Sequence, residues 1–214
     1  MSRIEKKFII NNQNEKFFYN WLKSQTKVNL YPDRKILNIY YDSNKLESYT
    51  DAIEGVRPRK KVRLRFYNNF KSCFIKLSDF SSLNCNFEKK VTDFDRNYKI
   101  KRKMIFNHHF SNFYDKKYFF LKPKFITEYK RSYYAINECR ITLDYNLNFY
   151  KINENSSISK KITKLSKILE FKLSMKNYNE AFNNFEINPT RYSKYLDAVN
   201  SFKKDKFKEN FLVI

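Results

Sequence analysis

The 214-residue chain carries 44 Lys and Arg against 22 Asp and Glu, a net charge of +22, and 42% of it is hydrophobic and 19% aromatic. That length and apolar content suit one domain with a packed core and exclude a disordered basic tail. The charge selects a polyanionic partner, whether nucleic acid, an anionic membrane surface or a phosphate-rich ligand.

An AT-rich coding sequence accounts for part of the lysine excess, so the arginines carry more of this signal. Cys73, Cys85 and Cys139 are odd in number and contain no C-x-x-C, which speaks against a disulfide framework or a zinc site. A reducing, cytoplasmic setting is expected. "MSRIEKKFII" does not read as a secretory leader, and no window approaches the roughly 20 apolar residues of a spanning helix. The adjacent His108 and His109 read as loop residues.

In chain order, "RIEKKFII" alternates like a strand. The next stretch, through Gln25, reads as a helix capped by Asn11 or Asn12, with Phe17, Phe18, Trp21 and Leu22 as its apolar stripe. "YPDRKILNIYYD" reads as a turn entering a strand. "SNKLESYTDAIEG" reads as a second helix, capped by Ser43 or Asn44, with Leu46, Tyr49 and Ile53 on one face. Gly55, the single glycine, stands where a helix end favours a left-handed residue. A strand follows from Lys60 to Tyr67, then "SCFIKLSDF" and "NCNFEKKVTDF" as two more. One helix is expected within residues 95–120. "KPKFITEYKRSYYAI", "ECRITLDYNLNFY" and "ILEFKLS" complete the strands, and the tail from Asn188 reads as helical. The pattern is α+β, built on an antiparallel sheet or barrel.

Residues two apart on a strand share a face. Lys61, Arg63 and Arg65 therefore lie opposite Val62, Leu64 and Phe66. Arg3, Glu5 and Lys7 share a face, as do Tyr129, Arg131 and Tyr133. Arg140, Thr142 and Asp144 lie opposite Ile141 and Leu143. Glu170 and Lys172 lie opposite Leu169, Phe171 and Leu173. Several strands thus carry one apolar and one charged face. A sheet with its polar side in water accounts for any one of them. The recurrence of arginine together with acids suits a barrel whose charged lining receives a polyphosphate and a divalent metal.

The ordered pieces "RIEKKF", "YPDRKILNIYYD", "LESYTDAIEGVRPRKKVRLRFY", "YKRSYYAI", "CRITLDYN", "ILEFKLS" and "RYSKYLDAV" resemble the VTC-type polyphosphate polymerase domains of the triphosphate tunnel metalloenzymes. The resemblance spans residues 1–202 and leaves 203–214 as a basic tail. It implies an eight-stranded antiparallel β-tunnel with helices packed outside, and transfer of the γ-phosphate of ATP to a growing polyphosphate chain with Mn²⁺ or Mg²⁺. It implies catalytic roles for Lys7, Arg63, Arg65, Arg131, Arg140 and Lys194, phosphate binding by Lys61, Lys76, Lys90 (or Lys89) and Lys172, and metal binding by Glu170 and Glu5. Two departures stand out. Arg3 replaces the first acid of the triphosphatases' Glu-x-Glu-x-Lys, which favours the polymerase branch. Phe74 stands two before Lys76, where the family strand reads Glu-x-Lys. ATP and polyphosphate are the expected partners, with nucleic acid disfavoured and room for a membrane-associated partner protein. The alternatives are a triphosphatase of the same superfamily and a non-catalytic module that binds polyphosphate or RNA.

Overall fold

The computed structural model describes residues 3–25, 28–68, 70, 74–94, 97–107, 112–136, 139–174 and 185–211. Its strands are β1 (Arg3–Ile10), β2 (Val28–Asp42), β3 (Arg59–Tyr67), β4 (Asn84–Thr92), β5 (Asn97–Ile105), β6 (Phe113–Asp115), β7 (Phe119–Ile136), β8 (Cys139–Lys151), β9 (Ile162–Lys164) and β10 (Lys167–Ser174). Its α-helices are α1 (Asn12–Ser24), α2 (Glu47–Glu54) and α3 (Lys194–Phe211), with a 3₁₀ turn at Leu77–Phe80. The main hydrogen-bonded path has the expected eight strands, in the order β1-β10-β8-β7-β2-β3-β4-β5; β6 joins β7 and β9 joins β8. Every pair whose register is described is antiparallel. Among the described residues the path is open, ending at β1 and β5. No helix of the described residues is long and apolar enough to cross a membrane.

The chain divides into two compact units. The first comprises 1–35, 129–147 and 163–192. Here α1 lays Phe18, Trp21 and Leu22 on Phe8 and Ile10 of β1, Ile141 and Leu143 of β8, and Leu169, Phe171 and Leu173 of β10. Asn11 starts the helix, as expected. Its Oδ1 accepts from the N–H groups of Gln13 and Asn14, both at 3.1 Å, while the Asn14 side chain accepts from the Asn11 N–H. Such a cap is worth about 1 kcal/mol.

The second unit comprises 36–128, 148–162 and 193–214. Leu37, Ile39 and Tyr41 of β2 and Val62, Leu64 and Phe66 of β3 face its core, packed with Leu77, Phe80, Phe106 and Ile126. The apolar side of each of these strands thus packs into a hydrophobic core, and burying each such side chain contributes about 1.5–3 kcal/mol.

Several local expectations are corrected. Residues 31–33 form no turn; β2 continues through Pro32, which lies outside the stretch Ile36–Tyr41 that pairs with β3. Helix α2 begins at Glu47, and of the two expected caps Ser43 serves, its Oγ accepting from the Glu47 N–H at 3.2 Å, but Asp42 caps it as well. The Asp42 carboxylate accepts from the N–H groups of Ser48 (2.9 Å) and Tyr49 (3.0 Å), while Leu46 turns through a left-handed φ of 57°. Of the expected stripe Leu46, Tyr49 and Ile53, Tyr49 is buried but Ile53 is exposed. The stretch 74–80 is no strand: Asp79 Oδ2 accepts from the N–H groups of Ile75 and Lys76 and turns the backbone into the 3₁₀ segment. Between 97 and 120 the described residues hold β5, β6 and the start of β7, with no helix. The tail helix starts at Lys194 rather than Asn188. Gly55 does close α2 with a left-handed φ of 78°. Cys85 and Cys139 are free and buried, and burial pushes both thiols up to about 11. Cys73, His108 and His109 lie outside the described residues.

Candidate functional site: two charged sheet faces

The first face belongs to the first unit. Antiparallel register sets Lys7, Glu170 and Thr142 in one row across β1, β10 and β8, and Glu5, Lys172 and Arg140 in the next. Charges alternate along and across β1 and β10, as cross-strand pairing favours, while Lys172 faces a like charge at Arg140 on β8. Lys7 Nζ lies 3.0 Å from Glu5 and donates to the Tyr192 carbonyl at 3.2 Å. Lys172 Nζ lies 2.6 Å from Glu170 and 3.4 Å from Glu5. Burial pushes the Glu170 carboxyl up, but Lys172, Lys7 and Arg131 outweigh it and hold the group below the usual carboxylate range. Glu5 is raised by burial and by its neighbour Glu170, yet Lys7 and Lys172 leave it below its ordinary value.

Arg131, on β7, is buried and forks onto Asp144, with Nε to Oδ1 at 2.5 Å and Nη2 to Oδ2 at 2.7 Å. This bidentate geometry is what guanidinium offers and ammonium cannot. Arg140 is exposed and lies over the Tyr133 ring at 5.7 Å.

The second face belongs to the second unit. Register places Tyr40, Arg63, Glu88 and Lys101 in one row of β2, β3, β4 and β5, and Lys61, Lys90 and Lys99 in the next. Glu88 is its centre and is only 2% exposed. Arg63 binds Glu88 Oε2 through Nε at 2.7 Å and Nη2 at 2.6 Å, Arg65 Nη1 lies 3.7 Å from the same oxygen, and Lys99 reaches Oε1 at 2.8 Å. Burial raises the Glu88 carboxyl, but Arg63, Arg65 and Lys99 overcome it and hold it down to about 2. Arg65 is also fixed by Asn38 Oδ1 at 2.7 Å, and Asn38 in turn donates to Thr127. Arg63 Nη1 donates to the Tyr40 hydroxyl at 3.2 Å.

Helix α3 borders this face. Lys61 Nζ donates to Ser193 Oγ at 2.8 Å, and half-buried Lys194 follows. The Tyr195 ring stacks on Tyr40 with centroids 5.1 Å apart, and its hydroxyl donates to Asp42 at 2.5 Å. The Asp42 carboxylate therefore holds both the start of α2 and the start of α3.

Of the residues singled out by sequence, Lys7, Glu5, Glu170, Lys172, Arg131 and Arg140 fall in the first unit. Lys61, Arg63, Arg65, Lys90 and Lys194 fall in the second. Lys76 joins neither group; it is exposed at the entry to the 3₁₀ turn. The reason is register. The strand paired to β3 is β4, which carries a Glu-x-Lys spacing of its own as Glu88-Lys89-Lys90, whereas Phe74 lies outside any strand. Phe74 packs on Phe80 and Tyr150 instead. Of the two neighbouring lysines, Lys90 shares the Arg63 face. Lys89 turns to the other side and, with Lys60, binds buried Asp115 at 2.5 and 2.8 Å. Glu88 and Lys99 were missed by the sequence reading, although the Glu-x-Lys spacing at Glu88 was a usable signal.

The VTC domain family model matches residues 2–203. The chain belongs to this family. No curated protein sequence matches the chain. Among solved structures, this VTC domain is similar to the PH1819 protein from Pyrococcus horikoshii OT3, at 13% identity and a TM-score of 0.52, covering 94% of this chain and 98% of that one. It is similar to HpAC1 from Hippeastrum, an adenylyl cyclase candidate with a dominant triphosphatase activity, at 10% identity and a TM-score of 0.51 over 94% and 96% of the two chains. A chain of the Schizosaccharomyces pombe Mediator head module matches at 9% identity and a TM-score of 0.50 over 88% and 98%. At 9–13% identity these likenesses show a shared fold. Function must therefore be argued from the charged faces of the VTC domain.

Proposed function

We propose that this VTC domain is a polyphosphate polymerase, transferring the γ-phosphate of ATP to the terminal phosphate of a growing chain. The observation that carries the reading is the Glu88 cluster. Two arginines and a lysine converge on one carboxylate, with Lys61 and Lys90 in the adjoining row. Guanidinium forks match phosphate oxygens, and cations held in place before substrate arrives need little reorganisation as charge develops. Arg63, Arg65, Lys61, Lys90 and Lys99 are assigned to the phosphate chain, with Lys194 beside them. Arg131, Arg140, Lys7 and Lys172 are assigned the same chemistry in the first unit. The reaction needs positioning and charge stabilisation more than covalent help from the protein.

The residues also suit a hard divalent cation. Glu5 and Glu170 both hold Lys172, and Glu170 is close enough to Glu5 to raise its proton affinity. No larger group of His, Cys, Asp or Glu gathers among the described residues. Two carboxylates completed by substrate oxygens is the usual Mg²⁺ arrangement, and Mn²⁺ accepts the same donors. Such an ion would neutralise phosphate charge and polarise the transferred group.

The test is incubation with ATP and Mn²⁺ and detection of polymer on a gel, using the wild type and Arg63→Ala/Arg65→Ala. Loss of one such donor costs about 10²–10³ in rate, so the double variant should form no detectable polymer. Intact polymer formation by the double variant refutes the assignment. Orthophosphate release without polymer identifies a triphosphatase instead. RNA bound tightly and not displaced by triphosphate identifies a binding module.

A further inference from the structure

Thr142 stands apart on the first charged face. It is 2% exposed, and its Oγ1 is the one buried side-chain polar atom among the described residues that has no hydrogen-bond partner. Its neighbours are all engaged. Glu170, directly opposite on β10, holds Lys172. Asp144, two residues along the same strand face, holds Arg131. Lys7, at the far end of the row, holds Glu5 and the Tyr192 carbonyl.

A buried hydroxyl without a partner is destabilising, and valine offers the same β-branched shape without it. The hydroxyl is therefore hard to explain by packing alone. A hydroxyl can donate one hydrogen bond and accept two, so the missing partner can be an anion. It sits in a row whose other members are a lysine and the carboxylate assigned to the metal. Lys7 and Lys172 are the long, partly exposed side chains here, with 27% and 29% of their side-chain surface accessible. A phosphate chain that drew their ammonium groups from Glu5 and Glu170 would open the row down to Thr142.

We infer that Thr142 is a substrate ligand whose hydroxyl donates a hydrogen bond to a phosphoryl oxygen of the triphosphate beside Glu170. This rests on the reading of the charged faces as phosphate sites. It adds a neutral donor whose partner is supplied by substrate alone.

Binding of inorganic triphosphate is measured by titration calorimetry on the full chain, with Mn²⁺ present, for wild type, Thr142→Val and Thr142→Ser, alongside ligand-free melting of each. Valine should weaken triphosphate binding on the order of 10- to 100-fold, the range for a lost hydrogen bond to a charged acceptor. Its ligand-free melting temperature should match or exceed that of the wild type, and serine should keep most of the affinity. Valine binding triphosphate as tightly as the wild type overturns the inference. So does a fall in ligand-free melting temperature with both substitutions, which would assign Thr142 to packing. Failure of the wild type itself to bind triphosphate overturns the underlying phosphate-site reading instead.

Discussion

Glu88→Gln is the sharpest test of the second charged face. The substitution keeps the shape and removes the charge, leaving Arg63, Arg65 and Lys99 around a neutral amide. The Glu88 carboxyl is held at about 2 against an ordinary value of 4.5. At about 1.4 kcal/mol per pH unit, that difference is roughly 3 kcal/mol of stability at neutral pH. Stripping one partner from a buried ion pair costs a similar 3–5 kcal/mol or so. The lower end applies, because the Arg63 and Lys99 side chains are 22% and 41% exposed. Urea unfolding at pH 7, followed by circular dichroism, should therefore show the variant about 3 kcal/mol less stable.

The pH dependence supplies an independent check. The folded carboxyl titrates below the unfolded one, so the unfolded chain takes up its proton first as the medium is acidified. The contribution of Glu88 is complete above about 4.5 and is lost as pH falls toward about 2. The gap between wild type and variant should close across that window. Inorganic triphosphate should also narrow it at neutral pH, by giving the three cations another anion. A variant within about 0.5 kcal/mol of the wild type at pH 7, the scatter of ordinary surface substitutions, would refute the idea that Glu88 organises this face.

Two other predictions separate binding from scaffolding. Lys90→Ala should weaken triphosphate binding about tenfold, one charge-assisted contact, with little change in melting. Lys89→Ala should instead cost about 2 kcal/mol of stability, through its bond to buried Asp115, and leave triphosphate affinity unchanged. Calorimetry and urea unfolding of the pair would refute the assignment of faces if these effects were exchanged. Gly55→Ala should destabilise by about 1–2 kcal/mol in urea unfolding, because a left-handed φ of 78° strains any side chain even though a Cβ there meets nothing within 4 Å. An unchanged midpoint would show that the end of α2 relaxes.

Period-two alternation recovered the faces well because the pleat is local: Val62, Leu64 and Phe66 are buried and Lys61, Arg63 and Arg65 lie opposite, as read from the sequence. It could not recover which strands pair, because pairing joins residues distant in the chain. "SCFIKLSDF" has the composition of a strand, yet one side chain, Asp79, folds its end into a 3₁₀ turn. That single event moved the partner of β3 to β4 and hid Glu88. The choice between Lys89 and Lys90 depended on the same register. Asp42 was invisible for a related reason: its partners, at Ser48, Tyr49 and Tyr195, are identified only once α2 and α3 are in place.

The carboxylates explain how so basic a chain keeps its arginines buried. Arg131 and Arg65 are each less than a tenth exposed, and burying either charge without a partner would cost several kcal/mol. Asp144 answers the first, and Glu88 with Asn38 answers the second. These acids do not cancel the positive faces. Glu88 meets three cations, and Lys61 and Lys90 stand in the next row. The acid fixes the direction of each guanidinium, and the surplus cation keeps the face attractive to phosphate. Rearranging only exposed lysine ends then suffices to admit an anion, while the buried arginines stay where their carboxylates hold them. On this argument affinity is set by the lysines and geometry by the acid–arginine pairs. That is why Glu88→Gln should be read first as a loss of stability, and Lys90→Ala as a loss of binding.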